Sequence, residues 1–251
     1  MTQVFQLFLL ALLASLIALV GGVVFLFNQR WSRSLERNAV PFAAGVLITI
    51  SLLGLLPESM ELIGTRTLWV AAAAFAATFV FERLAFEIHH HTHKHSSQRA
   101  VARQAAVPMV LIGDTIHNFV DGVAISGAFL VNPGLGLLTA VSTFLHEVPH
   151  EIGDFGILLK AGWKRADILL ANALSASTTI LGAFALLVFA DDPQLIGTLL
   201  AVSAGIFLYL GSIDFLPHAA DGFSSKAQAA VPLLIGVLVM AAAFVVVPHA
   251  G

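Results

Sequence analysis

Residues 145–155 read Leu145-His146-Glu147-Val148-Pro149-His150-Glu151-Ile152-Gly153-Asp154-Phe155, and the rest of the chain has to be read around them. They sit in an apolar run, 134–160, long enough to cross a bilayer, yet His146, Glu147, His150, Glu151 and Asp154 all fall on one face of the helix that run would form. An ionisable side chain at mid-bilayer costs about 2.5 kcal/mol or more, so these residues must face a partner, a cavity or an ion. The preceding run, 107–130, repeats the device with Asp114, His117, Asn118 and Asp121 at i, i+3, i+4 and i+7. His117-Asn118-Phe119-Val120-Asp121-Gly122 aligns with His146-Glu147-Val148-Pro149-His150-Glu151, with a metal-ligating residue type over another at the first, second and fifth places. Two facing stripes of Lewis bases with no basic side chain between them call for a cation.

The whole chain agrees with a membrane setting. Of its 251 residues 58% are hydrophobic and 11% charged, and the mean hydropathy is +0.92, beyond what a water-soluble globule of ordinary composition reaches. About 20 apolar residues cross a hydrocarbon core, and on that scale eight spans are expected, near 4–27, 39–61, 68–88, 107–130, 134–160, 166–190, 195–217 and 227–248. The first lacks a basic leading segment and a small-residue cleavage site, so it reads as a spanning helix rather than a signal peptide. Turn and charge signals separate the spans, including Asn132-Pro133-Gly134, Asp191-Asp192-Pro193 and a polar, histidine-rich loop over 87–104. Of the 12 basic residues all but Arg66 fall in alternate loops, which by the positive-inside rule are cytoplasmic and leave both termini outside.

Ala44-Gly45 is followed by Pro57 at the same spacing as Ala204-Gly205 by Pro217, at a constant offset of 160. The second and seventh spans cross in opposite directions, so the match predicts an inverted repeat of the kind found in secondary transporters. The fold expected is therefore an all-α integral membrane protein, one eight-helix transmembrane domain over 1–251.

Cysteine is absent, which removes disulfides, thiolate ligands and cysteine nucleophiles together. Imidazoles paired with carboxylates suit Zn²⁺, with Fe²⁺, Mn²⁺, Co²⁺ and Cd²⁺ also admitted, and do not suit Mg²⁺ or Ca²⁺. With i, i+4 spacing on each helix, His117, Asp121, His146 and His150 can supply four ligands to one ion. Asn118, Glu147 and Glu151, one residue round, can hold a second divalent ion, with Glu147 bridging. Pro149 removes one backbone hydrogen bond beside the stripe.

These motifs resemble the ZIP (Zrt-/Irt-like) metal transporters, and more closely the subgroup whose fifth helix reads HExPHExGD. The resemblance extends to Leu55-Leu56-Pro57-Glu58 and to Asp214-Phe215-Leu216-Pro217. It implies a binuclear centre in which His117, Asp121, His146 and His150 form the main site and Asn118, Glu147 and Glu151 the auxiliary one. Some members add a sixth-helix glutamate to the auxiliary site, where this chain has Ser175, Ser177, Thr178 and Thr179. It also implies movement of the ion toward the cytoplasm, and a metal-sensing or delivery role for His89, His90, His91, His93 and His95.

His146-Glu147-Val148-Pro149-His150 is also literally H-E-x-x-H, the zinc-hydrolase signature, so an intramembrane metalloprotease is the rival reading. It leaves the 117–121 stripe unexplained and puts a proline inside its own motif. A buried hydrogen-bond network holding helices together is the bland reading, and seven ligand-type residues on two facing helices exceed what it needs. The expected protein is thus a transporter and not an enzyme. Its partners are divalent metal ions and the lipid bilayer, with no nucleic acid and a homodimer allowed. A bacterial-type inner membrane is its expected location.

Overall fold

In a bilayer no water is at hand for stray backbone N–H and C=O groups, so a chain this apolar must satisfy them within its own helices. The computed structural model describes residues 3–27, 29–90, 96–218, 223 and 226–248, and among these there is no strand. The helices are α1 (Gln3–Ala14), α2 (Val20–Phe27), α3 (Gln29–Ile50), α4 (Leu56–Ile63), α5 (Arg66–His90) and α6 (Ser96–Val131). There follow α7 (Pro133–Lys160), α8 (Arg165–Leu187), α9 (Pro193–Tyr209), the short α10 (Leu216–His218) and α11 (Lys226–Val246). Five stretches among the described residues are long and apolar enough to cross a membrane: Arg37–Ile63, Arg66–Leu84, Arg165–Leu187, Pro193–Phe215 and Ala227–Val246. α6 and α7 have the length, with 36 and 28 residues, but carry the ionisable stripes.

Local chemistry sets the breaks. Asn132 caps α7, its side chain accepting from the N–H groups of Gly134 (2.7 Å) and Leu135 (3.2 Å), with Pro133 in the first helical position where no N–H is needed. Asp192 and Pro193 start α9 in the same way. Gly64 ends α4 at φ 63°, a left-handed backbone that only glycine adopts at no steric cost. Two helices slip into single π-helical segments, Ser51–Leu55 between α3 and α4 and Leu210–Phe215 between α9 and α10. Pro57 and Pro217 each stand two residues after the segment, and a residue without an N–H leaves the preceding turn one hydrogen bond short.

Two differences from the sequence expectation have physical causes. The first apolar run is not one helix: α1 and α2 are separated by a turn at 15–19, where the Ser15 hydroxyl bonds back to the Ala11 carbonyl at 2.7 Å. α2 then lies against α7, its Gly21 facing Val148 and Gly22 facing Phe155. The polar loop expected over 87–104 is helical at 87–90 and 96–104, because Gln98 to Gln104 is rich in Ala, Arg and Gln, all strong helix formers. Its histidines His91, His93 and His95 lie outside the described residues, as do the side chains of His89 and His90.

The helices pack as two groups. In one, α6 lies between α7 and α8, with α1 and α2 against α7. Gly122 of α6 meets the Thr179 carbonyl of α8 while Gly182 of α8 meets the Phe119 carbonyl, so α6 and α8 touch backbone to backbone at a point where neither position has room for a methyl group. In the other group α3 pairs with α11, and α5 and α4 with α9. α3 and α9 bring the groups together through α7 and α6, around a core that includes Leu47, Ala124, Leu138 and Phe207.

Candidate metal centre

α6 and α7 run antiparallel on either side of the Asn132-Pro133 turn, so their stripes face each other along their length. Asp114, His117, Asn118, Asp121, His146, Glu147, Glu151 and Asp154 are all buried, and α9 closes one side with Phe207, whose ring stands edge-on to His146 at 5.5 Å between centroids.

One group of ligand atoms comprises His117, Asp121, His146 and Glu147, all mutually within 4.8 Å. His117 Nε2 lies 3.0 Å from Glu147 Oε1 and 3.8 Å from Asp121 Oδ2. His146 Nε2 lies 3.2 Å from Asp121 Oδ2, 3.7 Å from Glu147 Oε1 and 3.2 Å from His117 Nε2. Four atoms at tetrahedral positions about 2.0 Å from a zinc ion are about 3.3 Å apart, and these separations straddle that value. His146 Nδ1 sits 3.0 Å from the Ser142 carbonyl, an acceptor only, so in the neutral ring Nδ1 carries the proton and Nε2 presents a lone pair to the cluster. Both Asp121 oxygens and Glu147 Oε1 are buried with no hydrogen-bond partner. Two imidazole nitrogens and two carboxylate oxygens thus converge on one point, and a divalent cation placed there would bond to all four.

A second group, Asp114, His150 and Asp154, meets the same 4.8 Å limit one helical turn away. His150 Nδ1 lies 3.7 Å from Asp114 Oδ1, and the His150 ring is 5.0 Å from that of His117 between centroids. The structure thus exchanges two of the residues expected from spacing: Glu147 joins His117, Asp121 and His146, whereas His150 turns toward Asp114. Asn118 is in neither group. Its amide donates to the Asp114 carboxylate at 2.8 Å and the Asp114 carbonyl at 3.1 Å, and its oxygen accepts from Thr179 at 3.0 Å. Glu151 is buried outside both groups, with neither oxygen bonded. Asp114 and Asp154 were not among the expected ligands; the signal was their place on the stripes, Asp114 three residues before His117 and Asp154 four after His150.

The sequence pattern of the family described as "ZIP Zinc transporter" matches residues 82–243. Among curated relatives, Zinc transporter foi of Drosophila melanogaster is 33% identical over 141 residues, covering 54% of this chain and 20% of the fly protein. Human Zinc transporter ZIP6 is 38% identical over 133 residues (51% of this chain, 18% of that one), and human Zinc transporter ZIP4 41% over 109 residues (43% and 17%). The matched part of this chain therefore spans a fifth or less of those proteins.

Proposed function

This chain belongs to the ZIP zinc transporter family and is an integral, multi-pass membrane protein, and on that premise we propose that it carries divalent metal ions, zinc foremost, across the membrane toward the cytoplasm. The observation that carries this reading is the group formed by His117, Asp121, His146 and Glu147: four buried ligand atoms at zinc-like separations, on residues of which three carboxylate oxygens are unsatisfied. Fe²⁺, Mn²⁺, Co²⁺ and Cd²⁺ fit the same donors.

The ion sheds water and takes two imidazole nitrogens and two carboxylate oxygens in exchange. Asp121 and Glu147 together cancel its charge, so the loaded site is electrically neutral where the empty one holds two unpaired negative charges in a poor dielectric. Loading thus removes the main electrostatic obstacle to moving the site through an apolar surrounding. Motion of the α6, α7 and α8 group against the α3, α9 and α11 group would expose the ion to one side and then the other.

An inverted repeat makes such motion natural, and three observations support one here. Gly45 of α3 meets the Leu233 carbonyl of α11, and Gly205 of α9 meets the Ala71 carbonyl of α5, so the residues matched at an offset of 160 make the same kind of crossing. The π-helical segments Ser51–Leu55 and Leu210–Phe215 end at the same offset. α3 with α11 and α9 with α5 are corresponding pairs under the repeat. Eight spans with both termini outside remain the arrangement that the distribution of basic residues favours.

A metalloprotease would need His146 and His150 on one zinc ion with Glu147 free to act as base. Here His150 faces Asp114 and Glu147 faces His117, which disfavours it. Zinc uptake into proteoliposomes holding the wild type, His117→Ala or His146→Ala tests the proposal. Uptake only by the wild type is expected; intact uptake by both variants would sink it.

A further inference from the structure

We infer that Asp114, His150 and Asp154 form a second divalent-metal site, one helical turn from the first on the side where α6 begins and α7 ends; this deepens the transport reading above and rests on it. The atoms involved are poised for a ligand. Asp114 is 2% exposed and Asp154 8%, and Asp114 Oδ2, Asp154 Oδ2 and His150 Nδ1 are all buried without a hydrogen-bond partner. The Ser175 hydroxyl nearby is given to Thr115 Oγ1 at 3.2 Å. No lysine or arginine occurs between 107 and 159 to balance the carboxylates. Two buried carboxylates and an imidazole in mutual reach, with no counter-charge on either helix, are a ligand set of the type that Zn²⁺, Fe²⁺ and Mn²⁺ accept.

The alternative second site, built on Asn118, would have to share an amide already engaged in hydrogen bonds. An amide ligates a metal through its oxygen, and the Asn118 oxygen is held by the Thr179 hydroxyl while its nitrogen donates to Asp114. The α8 position that meets Asn118 is a threonine, so α8 supplies a donor that occupies the amide rather than a carboxylate that would share an ion with it. Thr179 and Asn118 are then positioning residues: they fix Asp114 Oδ1, while Oδ2 has no hydrogen-bond partner.

Placement gives the site its use. From His117 to Asp114 and from His150 to Asp154 the stripes run toward the ends of α6 and α7 near which the sequence places Arg99, Arg103, Lys160, Lys164 and Arg165, the side that the charge bias assigns to the cytoplasm. A helical turn is about 5.4 Å, so an ion leaving the His117 group toward that side meets His150 first. Three protein ligands instead of four leave positions open to water, which suits a site that receives an ion and lets it go.

The test is zinc stoichiometry of the purified full chain, stripped by chelator and brought to saturation by equilibrium dialysis, with bound metal measured by elemental analysis. The wild type should hold two ions. Asp114→Asn and Asp154→Asn, with Asp154→Ser as a further variant, should each hold one, and that retained ion reports an intact fold. His146→Ala should lose the other ion instead. Asn118→Ala and Thr179→Val should keep both, with the weaker ion bound several-fold less tightly. A wild type holding a single ion that His146→Ala removes would overturn the second site and leave the transport reading standing. So would two ions in both Asp→Asn variants, or loss of the second ion in Asn118→Ala alone. A wild type that binds no zinc would overturn both.

Discussion

The two helix groups solve the same solvent problem in opposite ways. α6, α7 and α8 bury many polar side chains beside their apolar ones: Asp114, Asn118, Asp121, Ser142, Thr143, His146, Glu147, Asn172 and Thr179 lie there at or near zero exposure. Between α3 and α11 and between α5 and α9 the contacts are made by glycine against backbone, at Gly45, Gly205 and Gly236, with Ala43, Ala44, Leu47 and Ala204 around them. Among the described residues the buried carboxylate oxygens without a hydrogen-bond partner all lie in the first group, at Asp114, Asp121, Glu147, Glu151 and Asp154, whereas the second leaves only a hydroxyl, that of Ser203, without one. On the proposed function, the first region would change state when metal arrives and the second would stay as it is while that happens.

The contrast breaks most easily at the ligands. Replacing Asp121 or His146 with alanine removes a bond to the ion itself, so zinc affinity should fall beyond the 10–100-fold typical of losing an outer partner of a metal ligand, about 100-fold or more, and uptake with it. Isothermal titration of the purified variants measures the first and proteoliposome flux the second. Wild-type affinity in both variants would mean that the ion binds elsewhere. Losing this cluster should leave the thermal unfolding of the metal-free protein unchanged or raised, because removing one carboxylate relieves the repulsion among the others.

Acid acts on the same atoms. The ligand form of His117 and His146 is the neutral imidazole, and protonation takes away the lone pair aimed at the metal. Protonation competes with the metal for that lone pair on each histidine, so acidification should weaken binding. The sign is fixed by the chemistry: affinity falls as pH falls. Uptake measured from pH 7.5 down to 5 with a constant zinc gradient checks it, and a flat profile would remove the histidines from the transport path.

How much of this was legible in the sequence depends on what each residue's misplacement would cost. The stripes could be read because an ionisable residue in an apolar span is expensive enough to need a reason, and His117, Asp121, His146 and Glu147 do come together. The division of ligands between two groups could not, since i, i+4 spacing places His150 on the same face as His146 without saying which residue across the gap it meets. Asn118 was read as a ligand from its place on the stripe; that its amide bonds Thr179, 61 residues away in the chain, was not legible, since nothing local announces that hydrogen bond. The turn at 15–19 was invisible for a related reason: Leu and Ala continue through it, and only the Ser15 back-bond and the docking of Gly21 and Gly22 on α7 mark the place. The glycine crossings were legible as a pattern, in the offset of 160, but not as contacts.

Those crossings offer the next way to sharpen the comparison. A methyl group on Gly205 would run into the Ala71 carbonyl, and one on Gly45 into the Leu233 carbonyl, and neither obstacle is a side chain that can swing aside. Overpacking of this kind costs about 1–3 kcal/mol, so Gly205→Ala and Gly45→Ala should lower the thermal midpoint of the purified protein by several degrees. Zinc affinity should stay within about twofold of wild type, since neither residue touches the stripes. Loss of affinity equal to that of a ligand variant would show that the α3, α9 and α11 group does not keep its shape independently of the metal.

The smallest effect is expected where the second group does use a polar contact. The Tyr209 hydroxyl donates to the Glu82 carboxylate, tying the end of α9, next to the π-helical segment, to α5. The Tyr209 ring is held edge-on by Phe75 at 5.5 Å and Phe79 at 6.4 Å, and the Arg83 guanidinium lies over Phe79 at 5.3 Å, so the aromatic packing alone keeps the ring in place. Tyr209→Phe therefore removes one hydrogen bond and almost no packing, which should cost about 1 kcal/mol. Glu82 is partly exposed and can turn to water once its partner is gone, so no buried charge is stranded. A small drop in thermal midpoint with unchanged zinc stoichiometry and less than a twofold change in uptake is the expected result. A large loss of uptake at full stability would instead make this contact part of the moving machinery, and the line between a responsive group and a passive one would have to be drawn through α9 rather than beside it.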